Sequence, residues 1–252
     1  MKGVILAGGF ATRLHPVTQV TNKHLLPVYN KPMIYYAIEK MVEAKIDKII
    51  IVTSPWHIND FVNLLGSGQN FISKNTGKQI QIVYGIQNNP AGIAEGLWIA
   101  KDYVGKENCV LYLADNIFVD DITEHIENFK EGALVFLKEV VGAERFGIAK
   151  VDKNMNVLEI EEKPKNPKSN LAVIGAYIYD NTVFDKMINQ PKSDRGEYEI
   201  TYINNLYIRE GRLRAVSLKG EWFDAGTFDS LIEASNFMKN KMMKDKENKY
   251  EK

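Results

Sequence analysis

Near the N-terminus, paired glycines are followed closely by two basic side chains: Gly8-Gly9-Phe10-Ala11-Thr12-Arg13, then Lys23 within Asn22-Lys23-His24-Leu25-Leu26-Pro27-Val28. Glycine lets the backbone approach a ligand closely, because no Cβ intervenes and positive φ costs little. Successive N–H groups at such a turn can cradle phosphate oxygens, with Arg13 and Lys23 supplying the opposing charge. The chemistry this predicts is binding of a polyphosphate, most simply a nucleotide. Neither well-known phosphate loop is present: the chain has no Gly-x-Gly-x-x-Gly and no Gly-x-x-x-x-Gly-Lys-Ser/Thr. A Gly-Gly turn after a buried strand is also common as plain structure. The reading therefore rests on the combination with Arg13, Lys23 and Leu25-Leu26-Pro27-Val28.

Two carboxylates suit a phosphate-bound metal. Asp115 ends an apolar strand-like run, and Asp224 lies in Glu221-Trp222-Phe223-Asp224-Ala225-Gly226-Thr227. Mg²⁺ held on a nucleotide takes one or two protein carboxylates, with water and phosphate oxygens completing its octahedron. Asp224 is equally readable as a helix cap, and sequence alone does not bring the two aspartates together. Further polar groups occur in Glu161-Glu162-Lys163-Pro164 and Asp194-Arg195-Gly196-Glu197. Lys163 and Arg195 suit an anionic substrate group and Glu162 suits hydroxyls, although each cluster alone also fits a solvated surface. Gln87-Asn88-Asn89-Pro90-Ala91-Gly92 is a polar turn able to face a base edge. The four histidines show no zinc spacing, and Cys109 sits in an apolar run as a small core residue.

Strand-like and helix-like segments alternate through the first half. Strands are predicted over 2–7, 48–53, 79–85 and 109–114, and helices over 33–44, 59–65 and 93–104. This predicts an α/β fold: a Rossmann-like, mostly parallel sheet flanked by helices, with ligands at the carboxyl ends of its strands. Two such ends are Ala7-Gly8-Gly9 and Ala114-Asp115-Asn116. The second half predicts strands over 133–140, 148–151, 157–161 and 173–179 with few helices between them, a mixed or antiparallel extension closing over one side of the site. A helix over 197–209, a strand over 212–218 and a helix over 227–243 follow, and the charged residues 244–252 are expected to fray. With no internal repeat or Pro/Gly-rich linker, residues 1–240 are read as one domain, with residues 241–252 as a charged tail.

The 252 residues are 45% hydrophobic and 25% charged, an ordinary globular balance. The 32 basic and 32 acidic residues cancel, so no net field attracts nucleic acid or anionic membrane. No apolar run has the length of a membrane span and no signal-peptide pattern opens the chain, which reads as cytoplasmic.

Taken in order, seven segments resemble one family. They are Gly8-Gly9-x-x-Thr12-Arg13-Leu14-x-Pro16, Asn22-Lys23-x-Leu25-Leu26-Pro27-Val28, Lys31-Pro32-Met33-Ile34-Tyr35-Tyr36, Asp115-Asn116, Glu161-Glu162-Lys163-Pro164, Arg195-Gly196-Glu197 and Trp222-Phe223-Asp224-Ala225-Gly226. The sequence resembles the sugar-1-phosphate nucleotidyltransferases, in the branch that takes dTTP and glucose 1-phosphate. The resemblance implies Mg²⁺-dependent attack of the sugar phosphate on the α-phosphorus, with pyrophosphate leaving. By the same resemblance Gly8, Gly9, Ala11, Thr12 and Arg13 line the triphosphate, with Arg13 on the leaving group. Lys23 meets the phosphates, and Gln87 and Gly92 meet the base. Asn116, Gly147, Glu162 and Val173 hold the sugar, Lys163 and Arg195 its phosphate, and Asp115 and Asp224 the metal. Residues up to about 120 then form the nucleotide part and 121–226 the sugar part. A homo-oligomer is compatible with the resemblance.

The chain departs from the family at Ala11, usually Gly, which is strained if that position needs positive φ. Glu95 stands for a usual Gln, Phe146 for a frequent Tyr, Ile174 for a frequent Thr and Tyr202 for a usual Asp. Open alternatives are a sister enzyme taking UTP or another sugar 1-phosphate, since one methyl group discriminates weakly, and a non-catalytic nucleotide-binding regulator.

Overall fold

A computed structural model describes residues 1–250, with side chains placed through Glu247. In chain order the strands are β1 (Lys2–Ala7), β2 (Pro27–Val28), β3 (Lys31–Pro32), β4 (Lys48–Thr53), β5 (Gln81–Ile86), β6 (Cys109–Leu113), β7 (Asn116–Phe118), β8 (Ala133–Glu139), β9 (Gly147–Val151), β10 (Val157–Glu162), β11 (Leu171–Tyr179), β12 (Leu213–Ser217) and β13 (Trp222–Asp224). The helices are α1 (Met33–Glu43), α2 (Ile58–Leu65), α3 (Ile93–Ile99), α4 (Lys101–Val104), α5 (Thr123–Glu127), α6 (Val183–Met187), α7 (Ile200–Arg209) and α8 (Phe228–Tyr250).

The runs rich in Val and Ile form the centre of a nine-stranded sheet. Its parallel core has the order β5-β4-β1-β6, and β11 joins antiparallel to β6. β8 and β9 both pair with β11, β10 extends β9, and β12 runs parallel to β8. The parallel core with its mixed extension is the architecture expected from the alternating first half and helix-poor second half. β1 lies between β4 and β6, so chain connections leave it in both directions, and that divergence opens a crevice at its carboxyl end.

Large apolar side chains cover both faces of the sheet. One layer includes Ile5, Ile38, Ile51, Phe61, Tyr112 and Phe136, and the other Val4, Leu97, Leu111, Val135, Tyr179 and Tyr207, all essentially without exposure. Burying each such side chain stabilises the fold by roughly 1.5–3 kcal/mol. Cys109 is buried in the second layer, as its apolar run predicts. No helix is long and apolar enough to cross a membrane among the described residues.

Three details differ from the sequence expectations. The stretch expected as one helix over 93–104 is two, α3 and α4, divided at Ala100. The helix expected from Glu197 begins at Ile200, because Glu197 and Glu199 turn their carboxylates to Arg195 instead. Residues 244–250, expected to fray, continue α8 to Tyr250, while Glu251 and Lys252 lie outside the described residues. Lys and Glu are good helix formers, and Lys241 pairs with Asp245 one turn on at 3.0 Å.

The two shortest paired strands matter most for the site. β7 leaves the end of β6 and pairs antiparallel with β13, placing Asp224 opposite Asn116. Segments far apart in sequence are thereby locked beside the carboxyl end of β6. α8 packs over this corner, where Val28, Met33, Ile117, Ala225 and Ala234 form a small separate core.

Candidate active site

At the end of β1, the Ala7 carbonyl accepts from Asn22 Nδ2 and Thr53 Oγ1, both at 3.0 Å. The chain then turns through Gly9 at φ 95° and Ala11 at φ 48°, ψ 38°. Thr18 Oγ1 and the Leu14 N–H both donate to the Ala11 carbonyl at 2.9 Å, pinning the loop from outside. Among the described residues, the N–H groups of Gly9, Phe10 and Ala11 donate to no protein acceptor and are left for phosphate oxygens. Ala11 is therefore held in the left-handed region, where a Cβ costs about 1–2 kcal/mol. Ala11→Gly is expected to raise unfolding stability by up to about 1 kcal/mol, part of the relief being offset by the freer unfolded chain. Denaturant titration of the two proteins checks this.

Gly8 is needed for a different reason, a close approach. A Cβ there would stand 2.8 Å from Gln87 Oε1, so Gln87 packs directly over the loop. Gly92 has φ 111°, and a Cβ on it would meet the Tyr198 carbonyl oxygen at 2.5 Å. Tyr198 ties this turn down, its N–H donating to the Ala91 carbonyl at 2.7 Å and its carbonyl accepting from the Ala94 N–H at 3.1 Å.

Asp115 and Asp224 come together. The Ala225 N–H donates to the Asp115 carbonyl at 2.9 Å, and Asn116 Nδ2 donates to Asp115 Oδ1 at 2.9 Å. Lys23 forms an ion pair with Asp115 Oδ2, and both side chains are largely buried. Burial would raise the Asp115 carboxyl, but the charge of Lys23 and the hydrogen bonds from Lys23 and Asn116 hold it well below the usual range. Asp224 is shifted the other way, raised by burial and by the charge of Asp115 despite Lys23, Arg13 and Arg145 nearby. Two neighbouring carboxylates whose environments push their pKa values in opposite directions are the pattern found at many active sites.

Arg13 reaches this pair from the phosphate loop. A Cβ on Gly226 would stand 2.8 Å from one Arg13 nitrogen and 3.0 Å from Asp224 Oδ1. As the side chain stands, Arg13 therefore faces the Asp224 corner. Arg145, not singled out from sequence, lies 3.9 Å from Asp224 Oδ2. Its position two residues before Gly147, in a Gly-containing loop with a basic residue, was the available signal.

His24 is buried beneath Lys23, its Nδ1 2.8 Å from Asn22 Oδ1. Burial, then the Lys23 charge, lowers its pKa to about 3, partly opposed by Asp115 and the Ala7 carbonyl. The native state thus keeps His24 neutral where the unfolded chain, with an ordinary pKa of about 6.5, takes up a proton. Between these values the unfolded state binds more protons, so stability is lost as pH falls from about 6.5 toward 3, at up to about 1.4 kcal/mol per pH unit. His24→Gln is expected to flatten that acid slope, measurable by thermal unfolding across the range.

On the other side of Asp115, Glu162 ends β10. Its Oε2 accepts from Thr201 Oγ1 at 2.5 Å, and its Oε1 lies 3.7 Å from Arg195 and 4.0 Å from Lys163 Nζ. Arg195 is gripped by Glu199 through two hydrogen bonds of 3.1 Å and by Glu197 at 3.0 Å. These acidic partners fix the guanidinium at the rim, and Glu199 was not anticipated. Asn116 Oδ1 accepts from the Gly175 N–H at 2.9 Å and Trp222 Nε1 at 2.7 Å. With its nitrogen on Asp115, Asn116 is fixed as a brace of the wall. The register of β11 against β8 shifts between Val173 and Tyr177, releasing backbone beside the site. Val173 lines the hollow there, while Ile174 is fully buried in the core.

Two hollows of ≈ 470 and ≈ 480 Å³ meet over these groups. The first is bounded by Gly8 to Thr12, Lys23, Gln87 and Gly92. The second is bounded by Asn116, Gly147, Glu162, Val173, Arg195 and Asp224, together with Arg13. Asp115 and Lys163 belong to both. Every residue expected at the site lies on one hollow or the other.

The nucleotidyl transferase family model matches residues 2–241. The chain belongs to that family. Among its relatives, a protein of Mycolicibacterium smegmatis named glucose-1-phosphate thymidylyltransferase is 41% identical over 244 residues, covering 95% of this chain and 82% of that one. One of the same name from Neisseria meningitidis is 40% identical over 245 residues, covering 94% and 82%. A Bacillus anthracis structure assigned as a glucose-1-phosphate thymidylyltransferase, solved with sucrose, is 47% identical with a TM-score of 0.87 over 94% of each chain. A UDP-glucose pyrophosphorylase complexed with UDP-glucose has a TM-score of 0.85 at 25% identity, covering 95% and 98%.

For a nucleotidyl transferase, the donor set suits a hard divalent cation carried by phosphate. No group of three or more His, Cys, Asp or Glu side chains placed for a metal occurs among the described residues. Burial and the neighbouring Asp115 charge raise the Asp224 carboxyl, a crowding that a bound divalent cation would relieve. Two protein carboxylates leave the remaining positions to water and phosphate oxygens, as Mg²⁺ prefers.

Proposed function

We propose that this chain is a glucose-1-phosphate thymidylyltransferase, joining dTTP and α-D-glucose 1-phosphate into dTDP-glucose and pyrophosphate. The observation that carries this reading is the pair of hollows sharing Asp115 and Lys163, one lined by a phosphate loop and a base-sized polar turn, the other by Glu162 and Arg195. Two substrates bound in them would have their phosphates adjoining at Asp115 and Lys163. The names of the relatives, at about 40% identity over nearly the whole chain, point to the same substrates.

In this reading the loop N–H groups and Lys23 hold the triphosphate, while Gln87 and Gly92 face the base. Glu162 and the backbone around Gly147 and Val173 hold the glucose, and Lys163 and Arg195 its phosphate. A phosphate oxygen of glucose 1-phosphate forms the new bond to the α-phosphorus as the bond to pyrophosphate breaks. That oxygen is already ionised, so no side chain need take a proton. Catalysis then rests on alignment and on charge aimed at the phosphates. Asp115 and Asp224 would hold Mg²⁺, which supplies charge neutralisation on the phosphates. Arg13, on the Asp224 side, would reach the pyrophosphate from the loop. Residues up to about 120 form the nucleotide part in this scheme and 121–226 the sugar part. No partner beyond the small substrates is required, a homo-oligomer is compatible with this reading, and the cytoplasm, where nucleoside triphosphates reside, suits it.

Pyrophosphate release should be measured over a grid of dTTP, UTP, dCTP and ATP against glucose 1-phosphate and other sugar 1-phosphates. Fastest turnover is expected with dTTP and glucose 1-phosphate. A higher rate with UTP, or with another sugar, would reassign the substrates. Nucleotide binding without release from any pair would make the chain a non-catalytic binder.

A further inference from the structure

An ionised carboxylate accepts hydrogen bonds and cannot donate them. Glu95, in the first turn of α3, accepts on a single oxygen from Gln87 Nε2 at 2.7 Å and from the Ala91 N–H at 2.8 Å. The Gln87 amide therefore has one orientation, with nitrogen toward Glu95 and oxygen away from it. The oxygen lies over Gly8, 2.8 Å from where a Cβ would stand, on the wall of the phosphate-loop hollow. Gln87 is only 6% exposed, and no donor reaches its Oε1 among the described residues. The fold thus presents a fixed, nearly buried acceptor to whatever fills that hollow.

We propose that Glu95 is a specificity-positioning residue, locking Gln87 as a hydrogen-bond acceptor and so selecting a 2,4-dioxopyrimidine base. The inference rests on the reading of Gln87 as the base contact. Thymine and uracil carry a hydrogen on N3 and satisfy the acceptor. Cytosine seated in the same way, with N3 on that oxygen, presents a lone pair and leaves two acceptors facing each other, its N4 amino donor one ring position away. A site built around such a bond rejects the mismatched partner far more strongly than shape alone does, because a buried polar group is left unpaired. Through the Ala91 N–H the same carboxylate also holds the residue before Gly92, so one side chain braces both base-facing pieces.

The test is steady-state kinetics with dTTP and dCTP at saturating glucose 1-phosphate on the wild-type enzyme, Glu95→Leu and Glu95→Gln. Leucine removes the acceptor and lets the amide turn. The KM for dTTP is expected to rise about tenfold or more with kcat nearly retained, and the preference for dTTP over dCTP to fall by at least about tenfold. Glutamine, whose carbonyl oxygen can accept both bonds, is expected to behave nearly as wild type. If the leucine variant does not fold, dTTP binding to Glu95→Ala measured by calorimetry carries the same tenfold expectation. A leucine variant with wild-type KM and preference, or one losing kcat or melting temperature alone, overturns the proposal. A wild-type enzyme that itself fails to distinguish dTTP from dCTP overturns the base-site reading beneath it.

Discussion

Lys23→Ala is expected to lower kcat by about two to three orders of magnitude, the size typical for removing one preorganised charge from a phosphoryl-transfer or oxyanion site. Lys23 is held by a short 3₁₀ turn, residues Lys23–Leu25, whose cap is the Asn22 side chain accepting from the His24 N–H at 2.9 Å. Its ammonium therefore stands in place before substrate arrives. The same substitution should cost stability, because it leaves the buried Asp115 carboxyl without the partner that favours its charged form. Removing one partner of a buried pair typically costs about 3–5 kcal/mol. Thermal unfolding beside single-turnover kinetics separates the two effects, and Lys23→Arg is expected to recover more stability than rate.

Asp224→Ala is expected to depress kcat by a comparable two to three orders of magnitude, with the opposite consequence for the fold. The Asp224 carboxyl is raised by burial and by Asp115, so its charged form is disfavoured in the folded protein. A group raised in this way contributes stability that is present below its unfolded pKa and lost as pH rises through the folded value. At neutral pH its removal should leave the melting temperature unchanged or raise it, provided no divalent cation is bound. The two variants thus agree in activity and diverge in stability. A marked loss of stability in Asp224→Ala would assign that residue to the structure rather than to the phosphates.

Much of the nucleotide side was legible in the sequence because it is built from local signals. The apolar run of β1 ends at Gly8-Gly9, and the alternation over the first half suffices for the parallel core. The strain at Ala11 was foreshadowed by the family resemblance, which puts glycine at that position, and the left-handed φ of 48° bears it out. The meeting of Asp115 with Asp224 was not legible. It depends on β7 and β13, strands of three residues whose pairing joins segments about a hundred positions apart and leaves no periodicity to read. The setting of Arg195 was hidden for a different reason: Glu197 and Glu199 read as the start of a helix, whereas both turn their carboxylates onto Arg195, two and four residues away. Arg145 carried too little local pattern to stand out among 32 basic residues.

The most direct measurement is to follow dTTP carrying ¹⁸O on its α-phosphate, with glucose 1-phosphate and Mg²⁺, by the isotope shift in ³¹P NMR. The expected result is label in dTDP-glucose alone, with an equimolar amount of pyrophosphate, and no product from Asp224→Ala on the same timescale. Label appearing as dTMP, or dTTP bound but unchanged, would contradict transfer between the two hollows.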